Sequence, residues 1–261
     1  MSGFKLFVTF FRIGALNEMQ YRVNFFVQLF QSLLALATGL FGLALVFEHT
    51  THLGGWSRHE LLAVMGVHIL MGGLIRTTIQ PNMERLMGDV QEGTLDFALT
   101  KPADAQLIVS VREVRIWQTV DMAMGLIVLL VAVLHIQSQI GVWQALAFVA
   151  ALLMGGLMIY SFWLMLTTGA FWVIRMENII ELFQGVYQAG RWPVGIYPDW
   201  LRTGLTFLVP VAFAVTVPAE ALTARLTPDV LLGAAALTAL LLFVARRFWK
   251  FGLRRYSGAS A

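Results

Sequence analysis

Between Arg22 and Glu48 the chain carries no charged residue. A predominantly apolar run of that length crosses the ~30 Å hydrocarbon core of a bilayer as one helix. Only helices and closed barrels can satisfy every backbone polar group inside lipid. Comparable runs recur to the C-terminus, so that 58% of residues are apolar and 13% charged, where a soluble domain carries about 25% charge. The expected fold is therefore an all-α membrane protein, a single transmembrane domain over residues 1–261. The first run, about 25–47, is too long for the apolar core of a secretory signal and no small-residue cleavage pattern follows it, so that span is expected to be retained.

Ahead of it, Phe4, Phe7, Val8, Phe11 and Ala15 recur at helical spacing with Lys5, Thr9 and Arg12 on another face, which fits an amphipathic N-terminal helix lying in the interface. Glu18 and Arg22 are spaced to pair. After the first span, the stretch from Glu48 to Glu60 holds His49, His52 and His59. Their spacing matches no ligand motif, and no metal site is expected. The second span covers about 61–79. Within it His68 is either hydrogen-bonded to its neighbours or lines a path, since intramembrane ionisable groups suggest function.

From Pro81 to Trp117 lies the one sizeable polar segment. Met83, Leu86, Met87 and Val90 fall at i, i+3, i+4 and i+7, with Glu84, Arg85, Asp89 and Glu92 on other faces, which is the pattern of a short amphipathic helix. Gly93 is placed to end it. Leu95, Phe97 and Leu99 then offer a second apolar patch before Lys101 and Pro102 force a break. Asp104 is placed to cap the following helix. The same pattern would equally serve a loop that only connects spans.

The third span, about 116–136, contains Asp121 near its start, within reach of Arg115 or Arg175. The fourth, about 143–168, includes Gly155 and Gly156, which permit close helix contact. Its apolar character ends at Arg175-Met-Glu177-Asn178, where Glu177 and Glu181 are also near Arg175 and a structural ion pair is expected. A weaker run at 178–196 ends in Trp192-Pro193-Val-Gly-Ile-Tyr197-Pro198. The next, from Thr203, is interrupted by Pro210 and stopped by Pro218, as a broken or re-entrant element would be. The last span covers about 230–249 and is followed by Lys250, Arg254 and Arg255. Six crossings with both termini cytoplasmic leave only Arg58, Arg191, Arg202 and Arg225 outside, a strong positive-inside bias; charge counting alone prefers a crossing at 203–222 in place of 178–196, which leaves only Arg58 and Arg225 outside, whereas the breaks at Pro210 and Pro218 favour the first scheme. That placement explains the sequence pI of 9.5 without nucleic acid.

Two segments carry a resemblance. Val90-Gln-Glu-Gly-Thr-Leu-Asp-Phe-Ala-Leu-Thr-Lys-Pro102 resembles the segment between the second and third spans of ABC-2 type permeases, the membrane subunits of one class of ABC transporter. Trp192-Pro-Val-Gly-Ile-Tyr-Pro-Asp-Trp-Leu201, then Leu208-Val-Pro-Val-Ala-Phe213 and Val217-Pro-Ala-Glu-Ala-Leu222, resemble the end of the fifth span and the outer re-entrant helix pair of that family. Here Val209 precedes Pro210 where many members have Asn. The tail Arg254-Arg-Tyr-Ser-Gly-Ala-Ser260 is similar to one branch of it.

The resemblance implies an exporter of amphiphilic or hydrophobic substrates, located in the cytoplasmic (inner) membrane and built from two permeases, either two copies or this chain with a related one. Two cytoplasmic ATPase subunits would hold the ATP and Mg, and this chain would be non-catalytic and bind no cofactor. Its ATPase-coupling residues would be Met83, Arg85, Leu86, Asp89, Val90, Glu92, Gly93, Leu95, Asp96, Lys101 and Pro102, in a cytoplasmic coupling helix between helices 2 and 3. The outer re-entrant region would include Pro193, Tyr197, Pro198, Pro210, Pro218 and Glu220. Consistently, the chain holds no Gly-Lys dipeptide and so no P-loop for ATP phosphates. A secondary transporter is the alternative, but would show repeated halves and midplane charges. A membrane enzyme would need a chemical constellation at one depth, and neither Gly-x-Ser-x-Gly nor His-Glu-x-x-His occurs.

Overall fold

The computed structural model describes residues 9, 10, 12, 22–136, 140–172 and 178–256. All regular elements among them are helical. In chain order the α-helices are α1 (Arg22–His49), α2 (Arg58–Leu74), α3 (Gln80–Gln91), α4 (Asp96–Leu99), α5 (Ala105–Val111), α6 (Thr119–His135), α7 (Val142–Thr168), α8 (Ile179–Ala189), α9 (Asp199–Thr203), α10 (Val217–Leu222) and α11 (Pro228–Leu253). Five stretches are long and apolar enough to cross a membrane: Val23–His49, Arg58–Gln91, Ile116–His135, Val142–Phe171 and Pro228–Leu253. The expected interfacial helix and the Glu18–Arg22 pair fall largely or wholly outside the described side chains.

The core is organised around α2. It lies back to back with α6, because glycines on both helices remove the side chains that would separate them. A Cβ on Gly125 would sit 2.5 Å from the Leu70 nitrogen, and one on Gly73 would sit 2.7 Å from that of Met122. Small residues of this kind let helix backbones approach in lipid, where apolar burial alone gives little drive to associate. On the other side α7 packs against α11, and Trp163 and Trp249 are fully buried.

The helix does not stop where the second apolar run ends. A π-helical turn at Ile75–Ile79 carries α2 into α3, so that Arg58–Gln91 is one helix of 34 residues, about 50 Å long at 1.5 Å per residue. Pro81 lacks an N–H and its ring crowds the preceding turn. The widened turn beside it accommodates both defects without breaking the helix. The amphipathic helix expected at 82–92 is thus the continuation of a span. Gly93, with φ 71°, ends it, and Thr94 N–H returns to Asp89 O at 2.9 Å.

At the opposite end, Leu53 and Trp56 exchange backbone hydrogen bonds across Gly54 and Gly55, whose φ values of 57° and 82° suit a two-residue hairpin turn. Ser57 and Glu60 then form the capping box that starts α2. We call this the loop end, and the opposite one, from Gln80 to Gln118, the polar end.

The stretch expected to cross at 178–196 is not a single long helix. α8 has 11 residues, about 16 Å or half the hydrocarbon thickness, before Gly190, Pro193 and Pro198 end regular structure. Its contacts nevertheless climb through the bundle. Phe183 lies against Trp163, Tyr187 against His68 and Gly190 against Val211, and Ile196 reaches Gly54 at the loop end.

Next, Asp199–Leu208 and Ala212–Leu222 form two arms bent by 79°. The bend is at Val209, extended as a residue before proline should be (φ −118°, ψ 102°). Arg225, just past the second arm, donates to Gly55 O at 2.8 Å and to Glu60 at 2.9 Å. Both ends of the pair are therefore held at the loop end, while Phe213 and Ala214, just past the bend, press on Gly155 of α7. The break expected around Pro210 is thus present as a bent helix pair.

Candidate functional site

Two polar assemblies stand out, one on the surface of the polar end and one within the bundle. On the surface, α3 is bound to the chain that returns toward α6. Asn82, which is buried, donates to Thr78 O at 2.6 Å and Glu113 O at 2.7 Å and accepts from Glu113 N–H at 2.9 Å. Arg115 N–H reaches Thr77 O at 3.0 Å. Three ion pairs run alongside: Arg115–Glu84 at 2.5 Å, Arg85–Glu113 at 2.6 Å and Arg112–Asp89 at 2.5 Å. Asp104 caps α5 through Leu107 N–H and pairs with Arg246 of α11, which also donates to Gln106 at 2.7 Å. The Arg246 guanidinium holds the Asp104 carboxyl below its ordinary range. Gln106 and Ser110 in turn meet the Tyr160 hydroxyl of α7.

This arrangement sorts the residues expected to contact an ATPase. Met83, Leu86 and Leu95 are fully buried and hold the layer on the bundle. Asp89 is also mostly buried, its carboxylate taken up by Arg112 and by Thr94 at 3.2 Å. Val90, Gly93 and Asp96 are partly covered, whereas Arg85, Glu92, Lys101 and Pro102 face outward. Phe97 is 75% exposed beside them. Between these groups is a cavity of about 740 Å³, lined by Arg85, Asp89, Glu92, Phe97, Lys101 and Arg112 among others. Arg112 Nε and Nη2 are buried without a hydrogen-bond partner among the described residues.

The second assembly lies between α1, α2, α6 and α8. Asp121, 6% exposed, accepts from Arg76 Nη2 at 2.6 Å, from Arg76 Nε at 3.2 Å, from Gln28 at 3.3 Å and from Ser32. Gln118 bridges Arg76 and Gln28 at 3.3 and 2.9 Å. Asp121 is thus engaged by Arg76, whereas Arg115 is committed to Glu84. Arg175 and Glu177 lie outside the described residues, and Glu181 is exposed with no ion pair among the described residues.

These groups wall a cavity of about 260 Å³ whose far side includes His68, Gln188 and Arg191. Buried His68 stacks on Tyr187 (4.6 Å between centroids, 19°), and the Tyr187 hydroxyl donates to His68 O at 2.8 Å. Arg191 borders the same space.

Around the bent pair, Pro193 is buried and Val194 N–H donates to Thr216 at 3.3 Å. The Tyr197 hydroxyl donates to Ala189 O at 2.8 Å. Pro198 precedes α9, Pro218 opens α10, and Glu220 supplies the carbonyl that Arg225 N–H closes on at 2.9 Å. The loop-end histidines form no metal-type cluster among the described residues, although His59 stacks on His135 at 5.3 Å.

Sequence reasoning passed over Asn82, Arg76 and the polar residues of α1. A signal was present, since Gln28, Gln31, Ser32, Ala35 and Gly39 form a polar and small stripe at helical spacing through an otherwise apolar run.

Residues 33–260 match the model of a family described as ABC-2 family transporter protein. No curated protein and no solved structure gives a match.

Proposed function

We propose, from the premise that this chain belongs to the ABC-2 transporter family and is a multi-pass membrane permease subunit, that it exports an amphiphilic or hydrophobic substrate with energy from separate ATPase subunits. In this reading the polar end faces the cytoplasm with both termini, the membrane is the cytoplasmic one, and the loop end faces outward. Two permeases, two copies or this chain with a relative, enclose the path. Each receives one ATPase, which holds ATP and Mg. This chain supplies posture rather than chemistry.

The observation that carries the reading is the continuity of α2 and α3. A helix of 34 residues runs from the ion-paired surface through the centre of the bundle, so force applied at Arg85 of α3 is delivered to α6 and the interior cavity without crossing a break in the helix. The clasp of Asp104 and Gln106 on Arg246 offers a parallel route into α11. Closure of an ATPase pair would move α3, α4 and α5 as one body, because Asn82 and the three ion pairs bind them to the returning chain.

Association is best tested at Phe97, whose 75% exposure means that a substitution disturbs little of the fold. Phe97→Glu is expected to remove most of the copurifying ATPase activity while the melting temperature of the permease stays within about 1 °C, as surface changes usually do. Retention of a full complement of ATPase by this variant would move the docking surface elsewhere.

A further inference from the structure

We infer that the cavity between α1, α2, α6 and α8 binds the head group of an anionic amphiphile. The inference deepens the exporter reading by naming the class of its cargo. Charge comes first. Arg76 is neutralised by Asp121, and Asp121 is further satisfied by Ser32 and Gln28, so this pair neither needs nor attracts a counterion. Arg191 differs. Among the described residues its guanidinium has one side-chain hydrogen bond, at 3.4 Å to Gln188, and no carboxylate partner. The cavity therefore carries one uncompensated positive charge in a bundle built for lipid, where an isolated cation is costly. An anion entering from the membrane or the cytoplasm would relieve it.

The wall beside this charge is fixed. The His68 ring is 6% exposed and stacks on Tyr187, whose hydroxyl donates to His68 O, so this side of the space is held in place by packing.

Size decides what part of the ligand enters. At ~30 Å³ per water, 260 Å³ holds about nine waters, enough for a phosphate-sized group with some of its hydration and too little for a whole lipid. Leu36, Met65 and Ile69 complete the wall and give an apolar tail a surface along which to leave. A small inorganic anion would use the charge and leave that surface idle, which is why the amphiphile is the favoured source of the negative group.

The test is native mass spectrometry of the purified full chain in detergent, without ATP or ATPase, titrated with phosphatidylglycerol or zwitterionic phosphatidylcholine of the same acyl chains. The wild type is expected to bind phosphatidylglycerol about tenfold more tightly, the scale of a charge-assisted hydrogen bond, with excess inorganic phosphate displacing little of it. Arg191→Gln should bring the preference to within about threefold, and Arg191→Lys should keep most of it. Arg191→Met removes the same charge and serves if Arg191→Gln does not fold. Equal binding of the two lipids, an unchanged preference in Arg191→Gln, or displacement by inorganic phosphate as effective as by lipid would overturn the proposal. Failure here leaves ATPase association untouched, and loss of that association leaves this binding untouched.

Discussion

α1 and α2 both read as apolar runs fit to cross a membrane, yet they occupy opposite positions in the molecule. In the continuous helix that begins with α2, 72% of the most apolar window is buried, against 17% for α1. Apolarity places both in lipid but does not say which is the hub. Small residues decide that: Gly66 and Gly73 of α2 bring its backbone against α6, while Gly42 of α1 meets nothing within 4 Å. α1 is tied to the bundle by Leu43 in the core and Gly39 against Met65, and to these contacts it adds polar ones, Gln28 and Ser32 on Asp121. The hub is held by close backbone packing, and α1 also by a hydrogen-bonded network.

The largest expected effect follows from the network. Asp121→Ala would strand Arg76, Ser32 and Gln28 together and should cost about 3 kcal/mol, the lower end for breaking a buried pair because Arg76 remains one-third exposed. Thermal unfolding of the purified protein measures it, and a loss below about 1 kcal/mol would mean that apolar contacts hold α1 after all. Next comes the hub. Gly125→Ala places a methyl 2.5 Å from the Leu70 backbone and should cost about 1–3 kcal/mol by overpacking. Gly42→Ala should have the opposite sign, stabilising by about 0.5–1 kcal/mol through helix propensity. The same sign for both would erase the distinction drawn between the two helices.

At the polar extension of the hub, Asn82→Ala leaves backbone groups of Glu113 and Thr78 without their partner and should cost about 2 kcal/mol. Hydrogen exchange at residues 112–115 should rise with it. The smallest effect is expected at Asp104. Its folded pKa is depressed by Arg246, so its contribution is present above the unfolded value of about 4 and lost as pH falls through the folded one. The pair is exposed, which limits Asp104→Asn to less than about 1 kcal/mol at neutral pH. Wild type and variant should converge in melting temperature in acid, and divergence there would deny the pair any role.

The membrane class and the long apolar helices were legible because a charge-free run has few physical outcomes. The stop at Gly93 and the break at Pro210 were legible for the same reason, each being set by one residue's backbone. The pairings of the polar end were not, since Arg112 and Arg115 meet Asp89 and Glu84 only after the chain has turned through α4 and α5, and no periodicity relates such distant positions. Asp121 had Arg115 and Arg175 as basic candidates within plausible reach, and the pairing with Arg76 required knowing that α2 and α6 lie backbone to backbone. Asp89 looked like surface by its spacing, but a partner from outside the helix covers it. The half-helix α8 was foreshadowed by Gly190, Pro193 and Pro198, though not its meeting with His68.

The most direct measurement places a photo-crosslinking residue at Phe97 and, separately, at Trp200, each of which replaces a side chain 75% exposed at opposite ends of the molecule. Irradiation in native membranes followed by mass spectrometry of the adducts identifies what each end touches. Crosslinking from position 97, and not from position 200, to a chain bearing a Gly-x-x-x-x-Gly-Lys-Ser/Thr sequence is the predicted result. An ATPase adduct at position 200, or none at position 97 in membranes that support transport, would contradict a permease driven through its polar end.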